Sequence, residues 1–488
     1  MPDVLNIGLS GLSAAKKGIE TTSHNLANAN TEGYSRQRIN QTTNTPVTQS
    51  GLIHGTGVRV VDVNRIHDPF LEKKLTSTIS AHEYFKERNV QMEQLENIFN
   101  EVNGEGMNQL LNKFYNSFRD LANQPENETV RSVVRDGTRL IIQDFHRMRE
   151  TLNAMATGID GKVTNEITSI NQISSHLAAL NKKIAELEAN GQETGDLRDQ
   201  RDLGVRELAK SFNISTYADE KNKFVVFAKG VGPLVIGGIS QELKVGKLAK
   251  ADSANNMDGS VEIFVEGRPN FPISGKFSGG IVSSLLIARN EDIFKLQNKI
   301  DSIAYDFINT VNAIHRRGFI NRPIEMDAEG NPIERNGSPV TGINFFKHLD
   351  SRENASALID FSEAVKDDIN NIATALEPNS PGDNRIALAI SKLQHEKILN
   401  DGNSTLEEEY LSVIGNIGLE TGKAKIDSEH TEGLLAQTQA IKDRLSGVSI
   451  DEETANLIRY QHSFEASAKV LNTVDKMFET VLGLGGRG

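Results

Sequence analysis

Eleven histidines are the first place to look for chemistry in this 488-residue chain. They are scattered, and no two sit three or four apart, so no helix presents a histidine pair to a metal ion. His67-Asp68 are sequence neighbours, a pairing that loops carry far more often than catalytic dyads do. No Gly-x-Ser-x-Gly elbow is present to raise a serine nucleophile. Gly161-Lys162, Gly246-Lys247 and Gly422-Lys423 all lack the following Ser or Thr that a phosphate-binding loop uses to hold magnesium. One stretch has the spacing of a dinucleotide loop, Gly483-Leu-Gly485-Gly-Arg-Gly488. No helix follows it to receive a pyrophosphate, so it reads as a flexible tail. Asp327-Ala-Glu-Gly-Asn331 lacks the ligand spacing and closing Glu of a calcium loop, and a turn is expected there. Cysteine is absent, which excludes disulfides, thiol catalysis and Cys-ligated metal. These residues ask for no catalytic site, no metal and no cofactor.

The bulk properties agree. The net charge is −13 and no run of Lys or Arg exceeds two, which argues against a nucleic-acid backbone binder and against an electrostatic membrane anchor. No apolar run approaches the roughly 20 residues of a membrane span. The N-terminus has neither the basic start nor the continuous apolar core of a secretory signal. At this length two to four domains are expected.

What the sequence does carry is helical seams. Leu5, Leu12, Ile19 and Leu26 stand seven apart, with Leu9 and Ala15 beside them, and Leu457, Phe464, Leu471 and Phe478 repeat the same step near the other end. A seven-residue apolar step is the mark of a coiled-coil face. Each seam alone is marginal in water, because a short helix does not recover its nucleation cost without packing. The two terminal seams are therefore expected to serve each other or neighbouring chains. The N-terminal seam ends in Asn25-Leu-Ala-Asn28-Ala-Asn30-Thr31-Glu-Gly33-Tyr34, a run that stops a helix and turns the chain.

Between the ends, the pattern predicts two or three short strands over 35–63, helices over 69–99 and 107–122, and a long helical stretch over 126–190. In that stretch Val163, Ile170, Leu177 and Ile184 hold one heptad position and Ile173, Leu180 and Leu187 the other. Gly191 and Gly195 end it, and Asp196 is expected to cap a further helix over 197–212. Strand-like runs follow at Phe224–Phe227, Leu234–Ile236 and Val261–Val265. Leu286, Ile293, Ile300, Phe307 and Ile314 restore the seven-residue step up to His315. An irregular, proline-bearing stretch follows over 318–382, containing Gly337-Ser-Pro339, with a helix expected near Ala355–Leu376. Helices over 384–399, 404–446 and 452–484 close the chain. The fold class is thus mainly α with inserted β: an elongated rod of long helices and terminal coiled-coil helices, with β-rich outer material inserted mid-chain. The expected division is a terminal domain (1–35 with 451–488), a helical bundle with short β elements (36–212, 279–318 and 383–450), a β-rich insertion (213–278) and a mixed outer segment (319–382).

Four patches carry a resemblance. Ser10-Gly-Leu-Ser-Ala-Ala15 and Asn25 through Tyr34-Ser-Arg36 resemble the N-terminal signature of the bacterial flagellar axial proteins, the family of rod, hook and junction subunits. Ser446-Gly-Val-Ser-Ile-Asp451-Glu452-Glu453, continuing through Asn456 and Tyr460-Gln461 to Ala466 and Ala468, is similar to the hook–filament junction members in particular. So are Leu197-Arg-Asp-Gln-Arg-Asp-Leu203 and Pro381-Gly-Asp-Asn-Arg385. The resemblance implies a structural, non-enzymatic subunit, exported by the flagellar type III system and located outside the cell in the flagellum. It implies a homo-oligomeric ring contacting hook protein and a second junction protein, an export chaperone on the C-terminal helix, and no nucleic-acid or membrane partner. On that reading the terminal seams form the assembly interface and order on assembly. The competing readings are a rod or hook subunit, a stand-alone cytoplasmic coiled-coil adaptor, and an enzyme hidden in the β-rich middle.

Overall fold

The computed structural model describes residues 2–49, 52–99, 106–247, 261–268, 271–329, 331–333, 339–399 and 402–485. Gly104, Gly337, Ser338 and the last residues of the glycine-rich tail lie outside that set, as does 248–260 of the β-rich stretch.

Helix α1 (Pro2–Ala27) leads through a turn into a twisted ladder, β1 (Gln37–Thr43) against β4 (Val58–Arg65), from which the small hairpin β2 (Val47–Gln49) and β3 (Leu52–His54) projects. Then come α2 (Pro69–Phe99), α3 (Met107–Asn123), α4 (Glu128–Ala189) and α5 (Gly195–Ser211). Helix α4 has 62 residues, which at 1.5 Å per residue makes a strut about 90 Å long. A meander of β5 (Ile214–Ala218), β6 (Phe224–Ala228), β7 (Gly232–Ile236) and β8 (Ile239–Ser240) follows, then the ladder of β9 (Leu243–Lys247) and β10 (Val261–Val265). Helices α6 (Gly280–Ile287) and α7 (Phe294–His315) are joined by a π-helical turn, Ala288–Ile293. That turn aims Arg289 at Asp160 of α4 and Asp292 at Arg88 of α2. The short α8 (Ala355–Leu358), α9 (Glu363–Asp367) and α10 (Arg385–Lys392) precede two long helices, α11 (Leu406–Ser446) and α12 (Ile450–Gly485).

Two departures from the sequence pattern have local causes. The single helix expected near Ala355–Leu376 is broken into α8, α9 and a 3-10 turn at Ile369–Asn371. Phe361 leaves the helical path to make a β-bridge with Phe346, and Ser362 caps a new helix by accepting from the Val365 amide. Helix α5 begins at Gly195 after Thr194, and Asp196 is not its cap. The Asp196 carboxylate is instead taken by His24 and Gln37 from outside the helix. The β-rich stretch also holds more strands than its apolar runs announce, because β5 and β9 are half polar.

One apolar core runs through α2, α3, α4, the meander, α7 and α10 into the first half of α11. Its aromatic centre is Phe114, Phe118, Phe307, Phe345, Phe346 and Phe361, packed mostly edge to face. Each such ring contributes about 1.5–3 kcal/mol by leaving water. The irregular 318–382 segment is pinned to this core by buried polar groups. Nδ1–H of His315 donates to the Ile343 carbonyl (2.7 Å), and Nε2 accepts from the Ala373 amide (2.9 Å). Asn312 exchanges two hydrogen bonds with the Phe346 backbone, and the buried Arg131 guanidinium donates to the Ile372 and Pro125 carbonyls. No described residue of α1 or α12 belongs to the core.

Candidate functional site

The terminal helices form an antiparallel pair of their own. Going up α1, Gly8 faces Leu471, Gly11 faces Ser467, Gly18 faces Tyr460 and Asn25 faces Glu453. The seam on α1 is therefore Gly8, Gly11, Ala15, Gly18, Thr22 and Asn25, a three–four alternation of small residues. A Cβ placed on Gly18 would lie 2.6 Å from the Tyr460 ring, and one on Gly8 2.9 Å from Leu471. The small residues are there because the α12 side chains occupy that space.

This arrangement sets the leucine stripe beside the seam. Leu5, Leu12, Ile19 and Leu26 are all only half-buried, as are Leu457, Phe464 and Leu471 on α12, and Phe478 is exposed. Val4, Ile7, Leu9, Ile458, Val470, Met477 and Val481 are exposed as well. Among described apolar residues of the two helices, Ala14, Ala15 and Val474 are the buried ones. The signal for the small-residue seam was in the sequence as the 8-11-15-18-22-25 spacing, hidden behind the bulkier leucine repeat.

At its inner end the pair is locked to the body by a buried polar joint. Asn25, 1% exposed, commits its whole amide there. Its Nδ2 donates to the Gln37 carbonyl (2.8 Å) and to Oε2 of Glu453 (3.1 Å), while Oδ1 accepts from the Tyr34 hydroxyl (2.7 Å) and the Gln37 amide (2.9 Å). Glu453, 2% exposed, is neutralised by Arg36 at 2.7 Å, and a second nitrogen of Arg36 reaches Glu452 at 2.6 Å. The Arg36 amide donates to the Ser446 carbonyl, and the Ile66 amide to the Arg36 carbonyl, so strand and helix ends are tied together.

The turn between them is shaped for this. Asn28 donates to the His24 carbonyl and accepts from Thr31. Gly33 takes φ +83° against Leu203 of α5, where a side chain would be strained. The Tyr34 ring meets His24 edge-on, and burial, then the carboxylates of Asp196, Asp199 and Glu453, push its phenol well above the usual range. Other residues of the two terminal signatures stay at the surface. Asn30, Asp451 and Gln461 are exposed, while Asn456 and Tyr460 line the small cleft above Arg36.

The body supplies the other half. Asp199 of α5 accepts from the Ser35 amide (2.8 Å) and from Arg65 (2.8 Å), and Asp202 accepts from the same Arg65 nitrogen at 2.6 Å. Burial alone would lower the Arg65 pKa, yet the two carboxylates carry it above its ordinary value. One layer further in, Glu72 of α2 pairs with Arg206 of α5 at 2.9 Å, beside Lys442 of α11. Burial raises Glu72 and lowers Lys442. Asp199 and Asp202 sit in the Leu197–Leu203 patch. Their partner Arg65, and the Glu72 that pairs with Arg206, carry no motif and were not legible.

This joint is architectural. Arg36 and Arg65 each face carboxylates of the same chain, and among the described residues no group of His, Asp and Glu could hold a metal ion. No helix among them is long and apolar enough to cross a membrane.

Comparison with known proteins fits this layout. Residues 92–332 match the model of the flagellar hook-associated protein FlgK helical domain. Residues 5–34 match the flagella basal body rod protein model, and 444–484 the C-terminal model of the flagellar basal body rod FlgEFG proteins. Flagellar hook-associated protein 1 of Bacillus subtilis is 27% identical over an alignment of 512 positions, covering 98% of this chain and 97% of that protein. The chain belongs to the flagellar hook-associated protein 1 family. The Salmonella typhimurium member is 24% identical, with 99% of this chain and 100% of that protein covered. The fold is shared with the flagellar hook junction protein FlgK from Burkholderia pseudomallei: TM-score 0.63 at 15% identity, over 77% of this chain and 100% of that one. The three matched segments cover α3 through α7 with the β-rich stretch between them, most of α1, and nearly all of α12.

Proposed function

We propose that this chain is the structural subunit that joins the flagellar hook to the filament, several copies closing a ring around the axis. The observation that carries the reading is the terminal helix pair. It lies outside the core, is seamed by glycine and alanine, and leaves its leucines, isoleucines and phenylalanines half or fully open. A helix pair with that little apolar burial is marginal alone. Neighbouring copies that covered Leu5, Leu12, Ile19, Leu26, Leu457, Phe464, Leu471 and Phe478 would add about 1.5–3 kcal/mol for each side chain fully taken from water. The joint then fixes the angle at which body and terminal pair meet, so that assembly force passes through Asn25, Arg36 and Glu453.

The same reading divides the chain into a terminal unit (1–35 with 451–488), a helical body, the β-rich insertion 213–278 and the outer segment 319–382. It takes hook protein and a second junction protein as axial neighbours and an export chaperone as the earlier occupant of the α12 apolar face. It places the working protein outside the cell after type III export, with no catalytic role. A stand-alone cytoplasmic adaptor is not favoured, since family models match both ends and the helical middle.

The test is complementation of a strain lacking its own copy. Leu12→Asp and Leu471→Asp should each yield a folded, soluble body and cells that fail to hold filaments. Normal swimming by these variants would refute the assignment of the terminal pair to assembly.

A further inference from the structure

A second uncovered apolar face runs along α11. Leu411, Leu419, Ile426, Leu434, Ile441 and Leu445 recur at steps of eight, seven, eight, seven and four, and all six are exposed. Leu419 and Ile426 show 69% and 67% of their surface. From Thr421 onward the helix is inverted relative to the usual pattern. Its buried residues are Thr421, Ala424, Thr431, Thr438, Lys442 and Ser446, while Ile426, Leu434, Ile441 and Leu445 are exposed and Leu435 alone packs half-buried against the core. Gly415, Gly418, Gly422 and Gly433 lie along the same helix, and a Cβ on any of them would meet nothing. Glycine inside a helix costs stability relative to alanine. In α1 the α12 side chains account for it, whereas in α11 nothing within the subunit does.

We propose that this face of α11 is a docking surface for a second copy of the same chain, seated through α4 around Val133, Gly137 and Leu140. The inference rests on the junction reading for its partner, and three observations choose the occupant. Exposed apolar residues recur past Gly447 at Ile450 and Ile458, on the α12 of the terminal pair proposed above to pack between copies. A ring or helical array needs two different, complementary patches on each subunit, since head-to-tail contacts are heterologous. Helix α4 supplies the second: Val133 and Leu140 are exposed, and Gly137 between them has open space where a Cβ would go. The charge balance also differs. Arg135 and Arg139 of α4 share the single carboxylate of Asp136, whereas along the α11 stripe the exposed Glu420, Glu429 and Glu432 outnumber the exposed Lys423 and Lys425. Extended apolar faces of this kind mark association sites on soluble chains.

The absence of cysteine makes the test direct. Leu419→Cys and Leu140→Cys are combined in the full chain and expressed in the strain lacking its own copy. Isolated flagella are treated with a flexible bis-maleimide. The double variant should give a ladder of linked multimers, and neither single variant should link. Linked dimers from Leu419→Cys alone would overturn the proposal in favour of a symmetric α11 contact. No ladder from a double variant that swims would overturn it outright. Gly422→Leu supplies the independent check: the purified chain should melt no lower than the parent, yet swimming should be lost. Retained swimming by Gly422→Leu contradicts the docking surface. Failure of the unmodified chain to restore swimming would instead sink the junction reading.

Discussion

Replacing Asn25 with alanine should release the terminal helix pair from the body while leaving the core intact. Four hydrogen bonds disappear. Glu453 keeps Arg36 and the half-buried Tyr34 hydroxyl can turn to water. The Gln37 amide and carbonyl point at Asn25 and lose their partner on that side. Each orphaned buried group costs about 1–3 kcal/mol, so a total of about 2–4 kcal/mol is expected after partial hydration. At 1.36 kcal/mol per factor of ten, local opening becomes about 30- to 1,000-fold more frequent. Peptide-resolved amide exchange on the purified chain reads this directly. Peptides over 24–38 and 448–458 should exchange faster by that factor, and α4 should not change. An acceleration below about threefold, or an equal loss of protection in α4, would refute the idea that Asn25 is the pin between the two units. Asn25→Asp should be worse at neutral pH than at pH near 5, since it sets a second carboxylate about 3 Å from Glu453 and the pair is relieved by taking up a proton.

Three further outcomes follow from the geometry. Burial pushes the fully buried His315 down to about 4 from 6.5; between those values the unfolded chain binds a proton that the native chain refuses, so stability falls as pH drops from about 6.5 to about 4, by about 2–4 kcal/mol. Denaturation across that range should show this slope in the parent and not in His315→Phe, and equal slopes would contradict it. Gly18→Ala drives a Cβ into the Tyr460 ring and should loosen α1 from α12 by about 1–3 kcal/mol, whereas Gly158→Ala in α4 meets nothing and should stabilise by about 0.4–1 kcal/mol; amide exchange and denaturant midpoints read the two. Phe345→Ala empties the centre of the aromatic cluster, where five of its neighbours are Phe114, Phe118, Phe346, Phe361 and His315, and should cost about 3–5 kcal/mol by urea unfolding.

Helices α3, α4 and α7 were legible because each buries an apolar stripe. Proline at 69 and 125 and glycine at 106, 191 and 447 mark ends close to those observed for α2, α3, α4 and α11. The seven-residue step through Leu286, Ile293, Ile300 and Phe307 stayed buried despite the π turn. The irregular outer segment was less legible, since its order comes from isolated bridges and from His315, Arg131 and Asn312, residues distant in sequence that carry no periodic signal. In the joint, Asn25, Gly33 and Tyr34 stood out by type, and Glu453 by its place in a motif. Arg65, Glu72 and Lys442 did not, because a charged residue on an amphipathic helix or strand reads as solvated until the fold buries it. The terminal seams misdirected in one respect: leucine repeats announce a packed face, and here the packed face is the smaller set of glycines beside them.

On the proposed function the terminal pair is an assembly element, held at the joint and incomplete beyond it. Amide exchange along α1 and α12 of the purified single chain tests this most directly. A gradient is expected: protection near Asn25 and Glu453, falling to rapid exchange toward residues 4–12 and 468–482, with α4 and α7 protected throughout. Protection of those distal turns as strong as that of α4 would contradict it, because the pair would then already be complete without a neighbour.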